Sequence, residues 1–165
     1  MKKHSKKKVS KSKKKPKGKY RKAFFCVVYL KTKGILGKKK LLYLVLKRKL
    51  HWDGWEFPKG GLDGNESVKK GLLREIKEET GQIPHLVSSY PISGKFKYKG
   101  VLSDRPGIIG QTYRLFSAQI TAKKINFDPH EHSQYKWVEY RKALKLLEWP
   151  NQRKCLKIVH KDLVS

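Results

Sequence analysis

Acidic side chains are scarce in this chain: 13 Asp and Glu stand against 41 Lys and Arg in 165 residues, a formal net charge of +28. A surplus of that sign disfavours cationic substrates and points to polyanions such as nucleic acid, nucleotides or anionic membrane surfaces. Cysteine is almost missing as well. Cys26 and Cys155 lie far apart, each among apolar neighbours, and read as core filling in a reducing compartment and not as a disulfide framework. Long apolar runs are also lacking: the longest near the N-terminus, Ala23 to Leu30, is too short to span a membrane and no small-residue cleavage pattern follows it. The expectation is a cytoplasmic protein, nuclear if the cell has a nucleus, with no membrane partner.

The basic residues are unevenly placed. Residues 1–22 hold 13 of them and no carboxylate, together with Pro16 and Gly18. Self-repulsion and a shortage of apolar side chains forbid packing there, so a disordered Lys-rich tail is expected, followed by one domain over 23–165. In that domain Ala23 to Leu30 and Lys40 to Leu46 read as two strands of a hairpin-like pair around Gly34 and Gly37. His51 to Gly61 is a Trp-, Gly- and Pro-rich loop. The spacing of Val68, Leu72 and Ile76 predicts a helix over about 66–80, with Gly81 as its stop. Strands follow at Leu86 to Tyr98, Thr112 to Ile120 and Lys136 to Val138, then helices at Arg141 to Leu147 and about Gln152 to Leu163. This order implies an α/β or α+β domain with a mixed sheet between helices.

The few carboxylates cluster. Asp63, Glu66, Glu75, Glu78 and Glu79 all lie between Gly60 and Gln82. With Val68 at 0° on a helix of about 100° per residue, Glu79 falls near 20° and Glu75 near −20°, on the margin of the apolar stripe. Glu78 borders the same side. An ionised carboxylate withdrawn from water must neutralise, pair with a cation or bind a metal. Three carboxylates at this spacing suit a hard divalent cation, Mg²⁺ by preference, because it also takes phosphate oxygens and waters. The plain alternative is a solvated acidic face paired with Lys70, Arg74 and Lys77. Trp55 to Gly61, WEFPKGG, brings two glycines and a lysine to the start of this helix, where backbone can approach a ligand and Lys59 can meet phosphate.

Gly60, Glu66 and the run Arg74-Glu75-Ile76-Lys77-Glu78-Glu79-Thr80-Gly81 resemble the Nudix box, G-x5-E-x7-R-E-U-x-E-E-x-G-U, in which U is a bulky aliphatic residue. Only the last position departs, with Gln82 in place of an aliphatic side chain. The resemblance implies a Nudix-type α/β/α sandwich with a mixed β-sheet. It also implies hydrolysis of a nucleoside diphosphate linked to another moiety, with Mg²⁺ or Mn²⁺. Glu75, Glu78 and Glu79 would then be metal ligands, with a backbone carbonyl from Lys59 or Gly60 beside them. Arg74 would orient them by salt bridges and Glu66 would brace the loop.

Attack of water on a polyphosphate needs cations for the phosphate oxygens and a base for the proton, and clustered glutamates supply both needs. Glu131, in Asp128-Pro129-His130-Glu131-His132-Ser133, is placed like the downstream acid some family members use, as a further ligand or the base; Glu75 is the competing base. His130 and His132 invite a zinc reading, but a polar loop favours solvent-facing side chains or phosphate contacts. WEFPKGG and EHSQYKWV resemble the branch containing diadenosine tetraphosphate hydrolases, and the PKG loop is similar to that of RNA 5′-pyrophosphohydrolases and decapping enzymes. A dinucleoside polyphosphate is the first expected substrate and an RNA 5′ end the second; a nucleic-acid-binding protein with an inactive Nudix fold is a third reading. Tyr98, Tyr113, Tyr135 and Trp52 are candidate base platforms, with core packing as their alternative. Lys95, Lys97 and Lys99 alternate along one strand face as a phosphate track or a soluble surface, and the tail is a possible RNA contact.

Overall fold

The computed structural model describes residues 18–165. The strands are β1 (Lys19–Lys33), β2 (Lys39–Arg48), β3 (Gly54–Glu56), β4 (Lys59–Gly61), β5 (Leu86–Lys97), β6 (Ile108–Gln119) and β7 (His132–Val138). The helices are α1 (Val68–Thr80), α2 (Tyr140–Leu146) and α3 (Pro150–Val164). The main sheet runs β3-β2-β1-β6-β5, with β4 paired to β1 and β7 paired to β2. The β1–β2 hairpin is antiparallel, with Tyr29 opposite Tyr43, while β1 and β6 run parallel, which makes the sheet mixed.

An unbroken apolar run such as Ala23 to Leu30 suits a strand covered on both faces. Its alternate residues do go opposite ways. Phe25, Val27 and Tyr29 join Tyr43 and Val45 in a core closed by Cys155, Leu156 and Val159 of α3. Phe24, Cys26 and Val28 join Leu44 and Leu46 in a second core closed by Leu72 and Ile76 of α1. Helices therefore lie on both sides of the sheet, and both cysteines are buried and unbonded.

The tail boundary expected at residue 22 is corrected. Lys19 to Lys22 belong to β1, held by parallel pairing to residues 108–112 of β6; main-chain pairing keeps in the sheet a segment that its side chains alone would not. The rest of the expected tail, residues 1–17, lies outside the described residues. The loop read over residues 51–61 also contains two short strands, β3 and β4, and β7 begins four residues before the short strand expected at Lys136.

The box helix is capped at both ends. Ser67 Oγ accepts from the Lys70 amide, and Gly81, at φ 73°, donates its amide to the Lys77 carbonyl. That left-handed backbone favours glycine. Gln82 then donates to the carbonyls of Ala122 (2.9 Å) and Lys124 (3.0 Å). Hydrogen bonds thus tie down the helix exit where apolar packing is usual, and Ile83 stays exposed.

Candidate active site

The loop ahead of α1 is fixed from both sides. The Pro58 carbonyl accepts from the Cys26 amide at 3.0 Å, and the Phe57 amide donates to the buried Gln152 side chain of α3 at 3.0 Å. Gly60 and Gly61 then pair with Phe24 and Ala23 of β1. A Cβ on Gly60 would collide with the Glu75 side chain, so only glycine admits this approach of loop to helix. Arg74 gathers the acids around that contact. Its guanidinium donates to Glu66 (2.6 Å), Glu75 (3.0 Å), Glu78 (3.2 Å) and the Gly61 carbonyl (3.1 Å). Glu66 in turn accepts from the Asp63 amide at 2.8 Å, so one carboxylate ties loop to helix. The Arg74 hydrogen bond and the Asp63 amide hold its carboxyl below the usual range.

Deeper in, carboxylates meet from distant segments. Glu79 is buried at 4% exposure, and its Oε2 has no hydrogen-bond partner among the described residues. Burial first, then the charges of Glu75, Glu56 and Glu131, push its carboxyl well above the ordinary range against a smaller opposing effect of Arg48. Glu131 lies in the turn just before β7, where its carbonyl accepts from the Lys49 and Leu50 amides. Arg48 donates to Glu131 Oε2 at 2.6 Å and lies 3.4 Å from Glu56, which is fully buried. Lys59 Nζ meets the other Glu56 oxygen at 2.6 Å. Burial alone would raise the Glu56 carboxyl, but Lys59, His132 and Arg48 together outweigh it and keep it low.

A cleft of about 1080 Å³ opens above these groups. Gly60, Glu75 and Glu131 lie in its wall with Arg48 and Lys59. The same cleft is lined by Lys95, Lys97, Lys99 and Arg105 and by the rings of Trp52, Phe96, Tyr98 and Trp149. Trp52 and Trp149 make an edge contact at 5.2 Å, and Lys99 lies over the Trp149 ring.

The NUDIX domain family model matches residues 19–157. This chain belongs to the Nudix family. It is 36% identical over 105 residues to an RNA pyrophosphohydrolase of Coxiella burnetii, covering 53% of this chain and 44% of that protein. It is 35% identical over 109 residues to an RNA pyrophosphohydrolase of a Nitratiruptor species, covering 62% and 70%. The match thus spans less than half of the Coxiella protein's length. Among solved structures, a C. elegans Ap4A hydrolase superposes with a TM-score of 0.69 at 22% identity, covering 87% of this chain and 98% of that one, a likeness of fold.

Nudix hydrolases generally use divalent metals, and this chain's residues fit one. Glu79, Glu131 and His132 each bring a donor atom within 4.8 Å of the others, and the unpartnered Glu79 oxygen is the atom an ion would satisfy. Glu75, half-buried in the cleft wall, stands beside Glu79 on α1, and burial raises its carboxyl despite Arg74. Glu78 is placed differently: it is exposed on the outer side of the Nudix helix, tied to Arg74.

Of the expected base platforms, Tyr98 and Trp52 do line the cleft, and Tyr98 donates to Gln111 at 3.1 Å while accepting from Arg105 at 3.3 Å. Tyr113 and Tyr135 are corrected. Tyr113 is buried and stacks on Phe25 at 4.1 Å, and Tyr135 packs on Phe127 in the α1-side core, because their positions on β6 and β7 turn them away from the cleft. The histidine pair also separates: His130 is exposed, whereas His132 is buried and not solvent-facing. Lys95, Lys97 and Lys99 are exposed along the cleft, alternating with half-buried Phe96 and Tyr98. Arg48, Glu56 and Trp149 are site residues that sequence reasoning missed. No local motif marks Arg48 or Trp149, but Glu56 lies inside the string WEFPKGG, where an acid between aromatic residues is itself a signal.

Proposed function

We propose that this Nudix protein hydrolyses the 5′-polyphosphate end of RNA, with Mg²⁺ or Mn²⁺ as cofactor. The observation that carries the reading is the cleft: one wall brings Gly60, Glu75 and Glu131 together with the cations Lys59, Lys95, Lys97 and Lys99 and the rings of Trp52, Tyr98 and Trp149. Cations for a chain of phosphates and rings for bases are the surfaces an RNA 5′ end needs. The relatives named RNA pyrophosphohydrolase, at 35–36% identity, support it.

Glu75, Glu79 and Glu131 would hold the ion, with Glu78 at the outer margin. When bound, it neutralises charge on phosphate oxygens and activates water. The remaining work falls to side chains. Arg74 fixes Glu75 on the side facing Gly60, and Glu75 accepts the proton of the attacking water. Glu131, held by Arg48 at 2.6 Å where Arg74 lies 3.0 Å from Glu75, is the alternative base. Glu56 holds Lys59 at the cleft wall, where the ammonium meets phosphate. The lysines of β5 carry the following phosphates and Tyr98, Trp52 and Trp149 stack bases.

A dinucleoside polyphosphate is the second reading, favoured by two separate ring groups in one cleft: Trp52 with Trp149, and Phe96 with Tyr98. The test measures the full chain with Mg²⁺ on 5′-triphosphorylated RNA and on diadenosine tetraphosphate. A kcat/KM on RNA about tenfold or more above the dinucleotide is expected. The reverse order assigns the second reading, and cleavage of neither removes both.

A further inference from the structure

We propose that His132 is a nitrogen ligand of the centre formed by Glu79 and Glu131, giving it a mixed nitrogen and oxygen donor set that favours a transition ion such as Mn²⁺ over Mg²⁺. The inference rests on the Nudix hydrolase reading for Glu79 and Glu131.

His132 is 1% exposed, and neither ring nitrogen has a hydrogen-bond partner among the described residues. An imidazole buried that way costs free energy unless something completes it. Apolar packing does not explain it, because the groups around it are Glu79, Glu131, Glu56 and Arg48. A simple pair with Glu56 does not explain it either. Nε2 lies 3.5 Å from Glu56 Oε1, too long for a good hydrogen bond, and Lys59 at 2.6 Å and Arg48 at 3.4 Å already address that carboxylate. The remaining partner is one shared with the two glutamates, whose donor atoms and one of His132 lie within 4.8 Å of each other.

The chain places this ring deliberately. His132 is the first residue of β7, opposite Arg48, and the register of β2 against β7 shifts between Lys47 and Arg48. His132 is buried there, while neighbouring Glu131 lies in the cleft wall. Glu56, with Oε1 3.5 Å from Nε2, is the carboxylate that would orient the ring if Nδ1 held the ion. Mg²⁺ prefers oxygen donors throughout, whereas imidazole shifts preference to ions of the Mn²⁺ to Zn²⁺ series. With His130 exposed, one histidine enters the site and not the pair that a zinc reading would use.

The test is pulsed electron paramagnetic resonance of the full chain loaded with Mn²⁺ alone, with Mg²⁺ competition in parallel. The expected spectrum shows coupling to an imidazole ¹⁴N. His132→Leu should lose that coupling and lower the preference for Mn²⁺ over Mg²⁺ by about tenfold or more, while His130→Gln keeps both. Bound Mn²⁺ without nitrogen coupling in the unaltered protein overturns the proposal, as does an unchanged preference in folded His132→Leu. If RNA or dinucleotide is still hydrolysed in either case, only this inference falls. If the protein takes up no Mn²⁺ and cleaves no substrate, the functional reading falls with it.

Discussion

At the residue scale, the site works against the fold. Glu79 is buried with an oxygen left unpartnered by the described residues, beside three other carboxylates, and no stability argument favours that position. Metal-free protein should therefore gain from Glu79→Gln: an increase of about 1–2 kcal/mol in unfolding free energy, read as a higher melting temperature in chelator. The same substitution should lower Mg²⁺-dependent hydrolysis by a factor on the order of 10³. A Glu79→Gln protein with full activity would remove Glu79 from the metal set. Opposite signs in the two measurements distinguish a functional acid from a structural one. The residues missed from the sequence have the same origin. Arg48 and Glu56, 8 positions apart, meet Glu131 and His132, 75 and 76 positions beyond Glu56, through two strand pairings, β2 with β3 and β2 with β7, and no spacing along the chain announces a meeting made by register. Aromatic residues were ambiguous for a related reason: Tyr98 and Tyr113 look alike in sequence, and only the face each strand presents separates a cleft wall from a core.

At the scale of elements, the loop and the box helix form one device, and they were legible because every part lies within 22 residues. The helix period, the Gly81 stop and the acid spacing are all local properties. Gly60→Ala tests the loop side. Its Cβ would displace the Glu75 side chain, which is flexible, so the melting temperature should barely move while kcat falls by up to about 10²-fold. Equal losses of stability and rate would show that Gly60 serves the fold and not the placement of Glu75. Glu66→Gln tests the helix side through pH. The Glu66 carboxyl is held below its ordinary value of 4.5 in the folded protein, chiefly by Arg74. Its contribution is thus present above about pH 4.5 and lost as pH falls through the lower folded value. Glu66→Gln should be less stable at pH 7 and show a shallower decline of melting temperature on acidification. An unchanged acid limb would mean the brace carries no linkage. Elements outside this device were read less well: β1 was cut short at Ala23 because its first residues are basic, and β3 and β4 are too short to carry a period.

At the scale of the whole molecule, the charge divides into two parts with different consequences. The cleft's lysines and arginines line a bounded surface. Residues 1–17 add ten further Lys side chains, which a small nucleotide does not need. For RNA the cost of losing them follows from counterion release: each phosphate neutralised contributes about 0.7 to the slope of log affinity against log salt on a single strand. A chain beginning at Gly18 should therefore bind 5′-triphosphorylated RNA with a KM raised about tenfold at low salt, and with a flatter salt dependence. Its kcat on RNA should stay unchanged, because no residue assigned to the reaction lies in that segment. Its kcat and KM on diadenosine tetraphosphate should match the full chain across the salt series. Should both substrates respond equally, the segment acts through general charge and not through contact with RNA phosphates beyond the cleft. Should neither respond, the cleft's own cations suffice for binding, and the +28 of the sequence says less about the substrate than the acids clustered against it.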